Sequence, residues 1–292
     1  MIRRLTSLDR GLDWAYPSNR FVVGLCLAFA VAAFVLQNVW LGQPVLWGVL
    51  AGAGWVFAAW ALGRELDPDH PETAARAGVA LALSQGLLLP LLSAQPRLAL
   101  AGLLVTGVLV VLARLLGRTT GRPTTWLDVA AVASSPLLAT WLTGRPLWAL
   151  ALPLALALVA DANRDGAPRR AWAGLALAAA AGVAALLWVH PAGRVASEPW
   201  VLWFAAATVL LGWAALLVWM WQKPLSKADN GLPLEYERLL GARALVALAT
   251  LLLVWTAGFL PLLALGWVGV FGAVAAATAQ YWVSGPSETH KP

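Results

Sequence analysis

Six of the fourteen carboxylates in this chain fall in two short stretches. Glu65, Asp67, Asp69 and Glu72 lie in GRELDPDHPETAARAGVALA, residues 63–82. Asp161 and Asp165 lie in ADANRDGAPRRAWAGLALA, residues 160–178. Like charges set so close repel, and a divalent cation is one means of holding them together. Mg²⁺ takes oxygen ligands, commonly one or two carboxylates, and fills its other positions with water and substrate phosphate. Two acidic loops facing each other would hold Mg²⁺ against a diphosphate, and nearby arginines would neutralise phosphate oxygens. A plainer reading stands beside this one. Loops at membrane surfaces are commonly charged, and DPDHP has the composition of a turn closed by an Asp cap.

The elements that position these loops follow from composition. Of 292 residues, 61% are hydrophobic and 12% charged, with a mean hydropathy of +0.75. Soluble domains carry about 25% charged residues, so too little polar surface is present to cover a globule of this size in water. Apolar runs recur at about 17–25 residues, the length that crosses ~30 Å of hydrocarbon. The expected fold is an all-α, polytopic transmembrane helix bundle of about ten spans. They fall near 21–40, 44–62, 76–93, 97–116, 126–143, 146–160, 171–190, 199–221, 243–260 and 262–283. Residues 1–20 alternate Ile2, Leu5, Leu8 and Leu12 with Arg3, Arg4 and Arg10 and stop at Pro17, a pattern for an interfacial amphipathic segment. The fifth span carries Asp128, Ser134, Ser135 and Pro136, so it is expected to face the protein interior.

Lys and Arg counts set the orientation. Seventeen fall in the N-terminal segment, in the loops after spans 2, 4, 6 and 8, and in the tail; only Arg97, Arg145 and Arg194 fall on the other side. The positive-inside rule then puts both termini in the cytoplasm of a multi-pass protein of the cytoplasmic membrane. Trp40, Trp60, Trp126, Trp141, Trp188, Trp200, Trp221 and Trp282 fall near span ends, where an aromatic belt sits. The net charge of +6 reflects these loops and an anionic leaflet. No basic helix supports nucleic-acid binding. One cysteine, Cys26, forbids an intrachain disulfide, and three scattered histidines exclude a haem or zinc bundle.

Spans 1–4 and 5–8 share a layout, which predicts tandem four-helix repeats at 21–124 and 125–221. At an offset of 96, Glu65, Asp67 and Asp69 align with Asp161, Asn163 and Asp165. The helices that follow, ARAGVALA and AWAGLALA, share six residues of eight. A cytoplasmic loop at 222–242 comes next, with a turn at Asp229-Asn230-Gly231 and a surface helix from Leu234 to Leu240 that is also a possible lid. A C-terminal helix pair at 243–283 and a tail at 284–292 complete the chain.

This layout resembles the UbiA-type prenyltransferases, in which Asp-rich motifs follow the second and sixth helices of two four-helix halves. The resemblance covers residues 21–221 as architecture and rests on Asp67 and Asp69 and on the Asp161-xxx-Asp165 pair. The family's first motif usually reads NDxxDxxxD, and this chain has ELDPDHPE. The resemblance implies transfer of an isoprenoid chain from its diphosphate to a lipophilic acceptor with Mg²⁺ as cofactor. Asp67, Asp69, Asp161 and Asp165 would be its catalytic metal ligands, and Arg64, Arg164, Arg169 and Arg170 would bind the diphosphate. Membrane lipid and isoprenoid diphosphate are the implied partners, with Trp55 or Trp213 able to face a carbocation. Ordinary helix packing also accounts for both tryptophans. Two other classes stay open. One is a transporter of parallel repeats, relying on Gln85 and on Ser134-Ser135-Pro136; the other is a non-catalytic subunit of a membrane complex.

Overall fold

The structure, a computed structural model, describes residues 12, 14–42, 46–87, 96–143, 147–188 and 226–257. The expected spans at 199–221 and 262–283, residues 1–11, the tail and Trp213 lie outside the described residues. What is described is helical: α1 (Pro17–Leu41), α2 (Leu46–Leu66), α3 (Pro71–Leu87), α4 (Pro96–Gly117), α5 (Trp126–Thr143), α6 (Ala151–Arg164) entered through a 3₁₀ turn (Leu147–Leu150), α7 (Pro168–Trp188) and α8 (Tyr236–Ala257). The only β pairing among the described residues is one antiparallel bridge, Lys227 with Pro233. Among the described residues, four segments are long and apolar enough to cross a membrane: Pro17–Val39, Leu46–Leu66, Ala99–Gly117 and Leu147–Arg164. Trp126–Leu142 is a shorter apolar helix.

Prolines and one glycine punctuate these helices. α1, α3, α4 and α7 open on proline, whose fixed φ suits the first turn and whose missing N–H has no intrahelical partner there. Pro153 is in the first turn of α6 and is harmless for the same reason. Gly42 ends α1 in the left-handed region at φ 67°, its N–H donating to Asn38 O at 3.0 Å. Thr125 and Asp128 form a capping box on α5: the Asp128 carboxylate accepts from Thr125 N at 2.7 Å, and Thr125 Oγ1 accepts from Asp128 N at 3.3 Å.

Pro136 sits inside α5 and cannot donate to the Val132 carbonyl. Ser135 Oγ takes that place at 3.0 Å. Ser134 Oγ turns back to Ala131 O at 3.2 Å. The expectation that this helix faces inward therefore holds for one side only. Val129, Val132, Pro136 and Ala139 are buried, whereas Ser134, Leu137, Leu138 and Trp141 are exposed. Serine hydroxyls bonded to their own helix carry no cost toward lipid, which is why polarity misled the reading.

The core runs along α2 and α4, with Trp55, Leu62, Leu109 and Leu112 almost fully buried and Leu150 and Leu154 joining from the α6 side. In lipid, packing and polar contacts hold helices together more than burial does, because the tails are as apolar as leucine. Close approach therefore matters. A Cβ on Gly102 would meet the Trp55 ring at 2.6 Å, and one on Gly63 would meet Ala74 Cα at 3.0 Å. Trp55 Nε1 also donates to Thr106 Oγ1 at 2.9 Å, tying α2 to α4. By contrast α1 exposes Leu27, Val31, Val35 and Val39, a face suited to hydrocarbon. Trp126 and Trp141 are exposed near the two ends of α5, as expected of a belt, but Trp60 is buried in the bundle.

The three contacts α1–α2, α1–α3 and α2–α3 have counterparts in α5–α6, α5–α7 and α6–α7. Downstream, Leu234–Leu240 is no separate surface helix. Tyr236 opens α8, which runs unbroken through Gly241 to Ala257.

Candidate functional site

The ends of α2, α4 and α6 and the starts of α7 and α8 meet at one end of the bundle, and nearly all the buried charge among the described residues is there. Asp161, in the last turn of α6, is 1% exposed. Its Oδ1 accepts from Arg118 Nε at 3.1 Å and from Arg238 Nη1 at 3.1 Å. Its Oδ2 accepts from Thr124 Oγ1 at 2.5 Å and Arg170 Nη1 at 3.2 Å. Asp165, one turn on, accepts from Arg170 Nη2 at 2.9 Å and from Arg118 Nη2, with Arg238 Nη2 at 3.7 Å. Three guanidiniums, one just after α4 and the others on α7 and α8, thus pair with two carboxylates. Burial alone would push the Asp165 carboxyl up, but Arg118 and Arg170 together hold it below the ordinary carboxylate value.

Arg118 follows the last residue of α4 at φ 47°, the left-handed region where glycine is usual. A non-glycine residue there costs about 1–2 kcal/mol. The contacts its side chain makes to Asp161 and Asp165 offset that strain. Arg122 lies between Arg118 and Thr124 in the same loop, and its Nη1 is buried with no hydrogen-bond partner among the described residues.

The first acidic loop is built differently. Glu65, fully buried in the last turn of α2, accepts from Arg114 Nε at 2.8 Å and from Thr119 Oγ1. Asp67 Oδ1 meets His70 Nδ1 at 2.8 Å, and Oδ2 accepts from Thr73 Oγ1 at 3.0 Å. That is the Asp-capped turn which DPDHP also allowed. The hydrogen bond to Asp67 raises the His70 pKa above its ordinary value against the opposing effect of burial. Asp69 Oδ1 accepts from Ser226 N at 2.6 Å. Arg243 of α8, 3% exposed, donates from Nε to Leu66 O at 2.9 Å, capping the end of α2.

The two loops share partners. Arg114 and Arg118, one turn apart at the end of α4, serve Glu65 and Asp161 respectively. Arg243 and Arg238 of α8 serve the first and second loops in the same way. A hairpin at 226–235 straps across the end: Ser226 Oγ donates to Pro68 O at 3.2 Å, Asp229 N to Thr119 O at 3.0 Å and Asn230 Nδ2 to Gly121 O at 2.8 Å. Gly231, at φ 83°, supplies its turn.

Of the four arginines expected to face a diphosphate, Arg170 alone is in the cluster. Arg164 pairs at the surface with Glu235 and Glu237, at 2.8 and 2.9 Å. Arg169 is exposed on α7. Arg64 donates to Asn19 Oδ1 at 3.0 Å and lies over the Tyr16 and Trp60 rings. Sequence reasoning missed Arg114, Arg118, Arg238, Thr119 and Thr124. The signal available was the i, i+4 pair Arg114/Arg118 ending an apolar span. It also took Asp67 as the partner of Asp161, whereas its own offset of 96 names Glu65, which has the matching burial and the matching Arg-plus-Thr environment.

These donors leave little for Mg²⁺ to bind. Both oxygens of Asp161 are taken by guanidinium or hydroxyl donors, and both of Asp67 by His70 and Thr73. Among the described residues no three carboxylate, imidazole or thiol groups converge where one ion would sit. A metal does not fit this arrangement without displacing guanidiniums. Gln85 is buried in α3, its Nε2 donating to Gly52 O at 3.2 Å. Comparison with family models, with curated proteins and with solved structures returned no match.

Proposed function

We propose that the protein is an integral membrane enzyme of about ten spans in the cytoplasmic membrane, with both termini and the charged end in the cytoplasm. In this reading it acts on an isoprenoid diphosphate and a lipophilic acceptor in the manner of the UbiA-type prenyltransferases it resembles. One observation carries the reading: arginines of α4 and α8 join the loops after α2 and α6 at one end of an apolar bundle. A phosphate-bearing head group fits such guanidiniums, since Arg pairs phosphate bidentately. An isoprenoid tail would lie along the apolar helices. Charge stabilisation of the departing diphosphate is the expected main catalytic contribution. The Mg²⁺ that the resemblance implies is left to experiment.

The test is thermal stability of the purified protein with a long-chain prenyl diphosphate, with and without Mg²⁺, against the prenyl alcohol of the same length. A ligand at 100 times its Kd stabilises by about 2.7 kcal/mol. Stabilisation by the diphosphate and not the alcohol supports the reading, and its absence with and without Mg²⁺ defeats it. A second reading, a non-catalytic subunit of a membrane complex, is favoured by the completeness of the ion pairing around Asp161. Stable copurification with a partner would select it. A transporter would lose function on changing Gln85 or Ser135 and tolerate Asp67→Asn.

A further inference from the structure

Resting on the diphosphate reading, we infer that Glu235 and Glu237 are placeholder anions: they occupy Arg164 and Arg238, and a diphosphate takes their place by exchange. The closed end of the bundle is then an autoinhibited form of the site. The two glutamates set the threshold at which an anion opens it.

The charges at this end balance. Arg118, Arg164, Arg170 and Arg238 are matched by Asp161, Asp165, Glu235 and Glu237. An anion added to a neutral network meets carboxylates as well as guanidiniums, so it enters by replacing a carboxylate. Exposure decides which one leaves. Asp161 is 1% exposed and Asp165 17%, and Asp161 is also held by Thr124. Parting either from its arginines strands charge in poorly hydrated surroundings. Glu235 and Glu237 are 62% and 79% exposed. Water screens their ion pairs, and a turn of either side chain leaves its carboxylate hydrated, so these pairs separate easily.

The geometry of the two glutamates is that of a bound anion. One oxygen, Glu235 Oε2, accepts from Arg164 Nη1 at 2.8 Å and from Arg238 Nε at 3.1 Å. Glu237 Oε2 accepts from Arg164 Nη2 at 2.9 Å. Two anionic oxygens thus sit on the two prongs of the Arg164 fork, and one of them bridges to a second arginine. Two oxygens of a single diphosphate suit the same fork. Arg238 is 5% exposed with Glu235 on its Nε, and its Nη1 is held by Asp161. Withdrawal of Glu235 therefore frees one edge of Arg238 while the other stays anchored. Arg164, set apart from the Asp161 cluster, is joined to it through Glu235, and the exchange puts the incoming anion at that junction.

The experiment is calorimetric titration of the full-length protein with inorganic pyrophosphate and with farnesyl diphosphate, each in EDTA and in Mg²⁺. Wild type is compared with Glu235→Gln, Glu237→Gln, Arg164→Gln and, as a control for surface charge, Glu72→Gln at the exposed start of α3. All four positions are at the surface, so folding is not at stake. Signs are read in each medium where binding occurs. Glu235→Gln tightens pyrophosphate binding about fivefold, the most that loss of a surface ion pair allows. Glu237→Gln, which frees one arginine and not two, tightens it about threefold. Arg164→Gln weakens it about tenfold and shrinks the gain from Glu235→Gln when the two are combined. Glu72→Gln leaves it unchanged.

Binding that is unchanged or weaker in Glu235→Gln overturns the exchange and leaves the diphosphate reading standing. An equal gain in Glu72→Gln does the same, because it marks a general effect of surface charge. Farnesyl diphosphate binding more tightly than pyrophosphate supports a lipid ligand. Equal binding keeps the exchange and defeats the lipid source. No binding of either probe to any form in either medium overturns both the exchange and the diphosphate reading.

Discussion

The loops after α2 and α6 have similar compositions and opposite constructions. In the first, Asp67 is answered by its own turn: His70 and Thr73 are three and six residues away. In the second, Asp161 is answered by Arg118 and Thr124 from the α4–α5 connection, by Arg170 from α7 and by Arg238 from α8. A carboxylate satisfied locally shapes a loop. A carboxylate satisfied from four places in the chain holds the bundle's end together. The difference teaches that acid count says little about role; where the counter-charges come from decides it.

The largest effect that would break the comparison is at Asp161. Removing one partner from a buried ionic network costs about 3–5 kcal/mol, so Asp161→Ala should lower the unfolding midpoint sharply in detergent. Asp67→Ala should cost about 1–3 kcal/mol, the penalty for unpaired neighbours of a local cap. Equal losses would mean that the first loop is as integral to the end of the bundle as the second.

Titration sharpens the contrast further. His70 has a raised pKa in the folded state, so its pairing with Asp67 is fully stabilising below the ordinary value of 6.5 and is lost as pH rises through the higher folded value. Asp165 has a lowered pKa, so its contribution is present above the ordinary value of 3.8 and is lost as pH falls through the lower folded value. Stability measured across mildly alkaline pH should decline in the wild type and decline less in His70→Gln. Asp165→Asn should flatten only the acid limb. A neutral-to-alkaline change in Asp165→Asn instead would show the two loops to be coupled. The smallest effect belongs to Arg164, paired at the surface with two exposed glutamates. Arg164→Ala should cost no more than about 1 kcal/mol, and a larger loss would extend the second loop's network outward to the start of α8.

Much of the helical layout is readable from the chain. Span 126–143 coincides with α5, and span 97–116 differs from α4 by one residue at each end, because proline, glycine and a Thr-x-x-Asp capping box mark boundaries through local chemistry. The exposure of Ser134, where an inward face was expected, is also decided locally. A hydroxyl's partner in its own helix is invisible to a hydropathy scale. The offset that paired Glu65 with Asp161 was present in the sequence, but the family pattern drew attention to Asp67.

The helices and caps of this apolar, charge-poor chain follow from short-range rules. Which charges meet is settled by packing. Arg118, Arg170 and Arg238 are 43, 9 and 77 residues from Asp161, and nothing in local spacing selects them from the twenty Lys and Arg residues. The selection is made by the packing of α4, α7 and α8 around α6. A buried carboxylate in a medium of low dielectric must be paired, and it takes the cations that packing delivers.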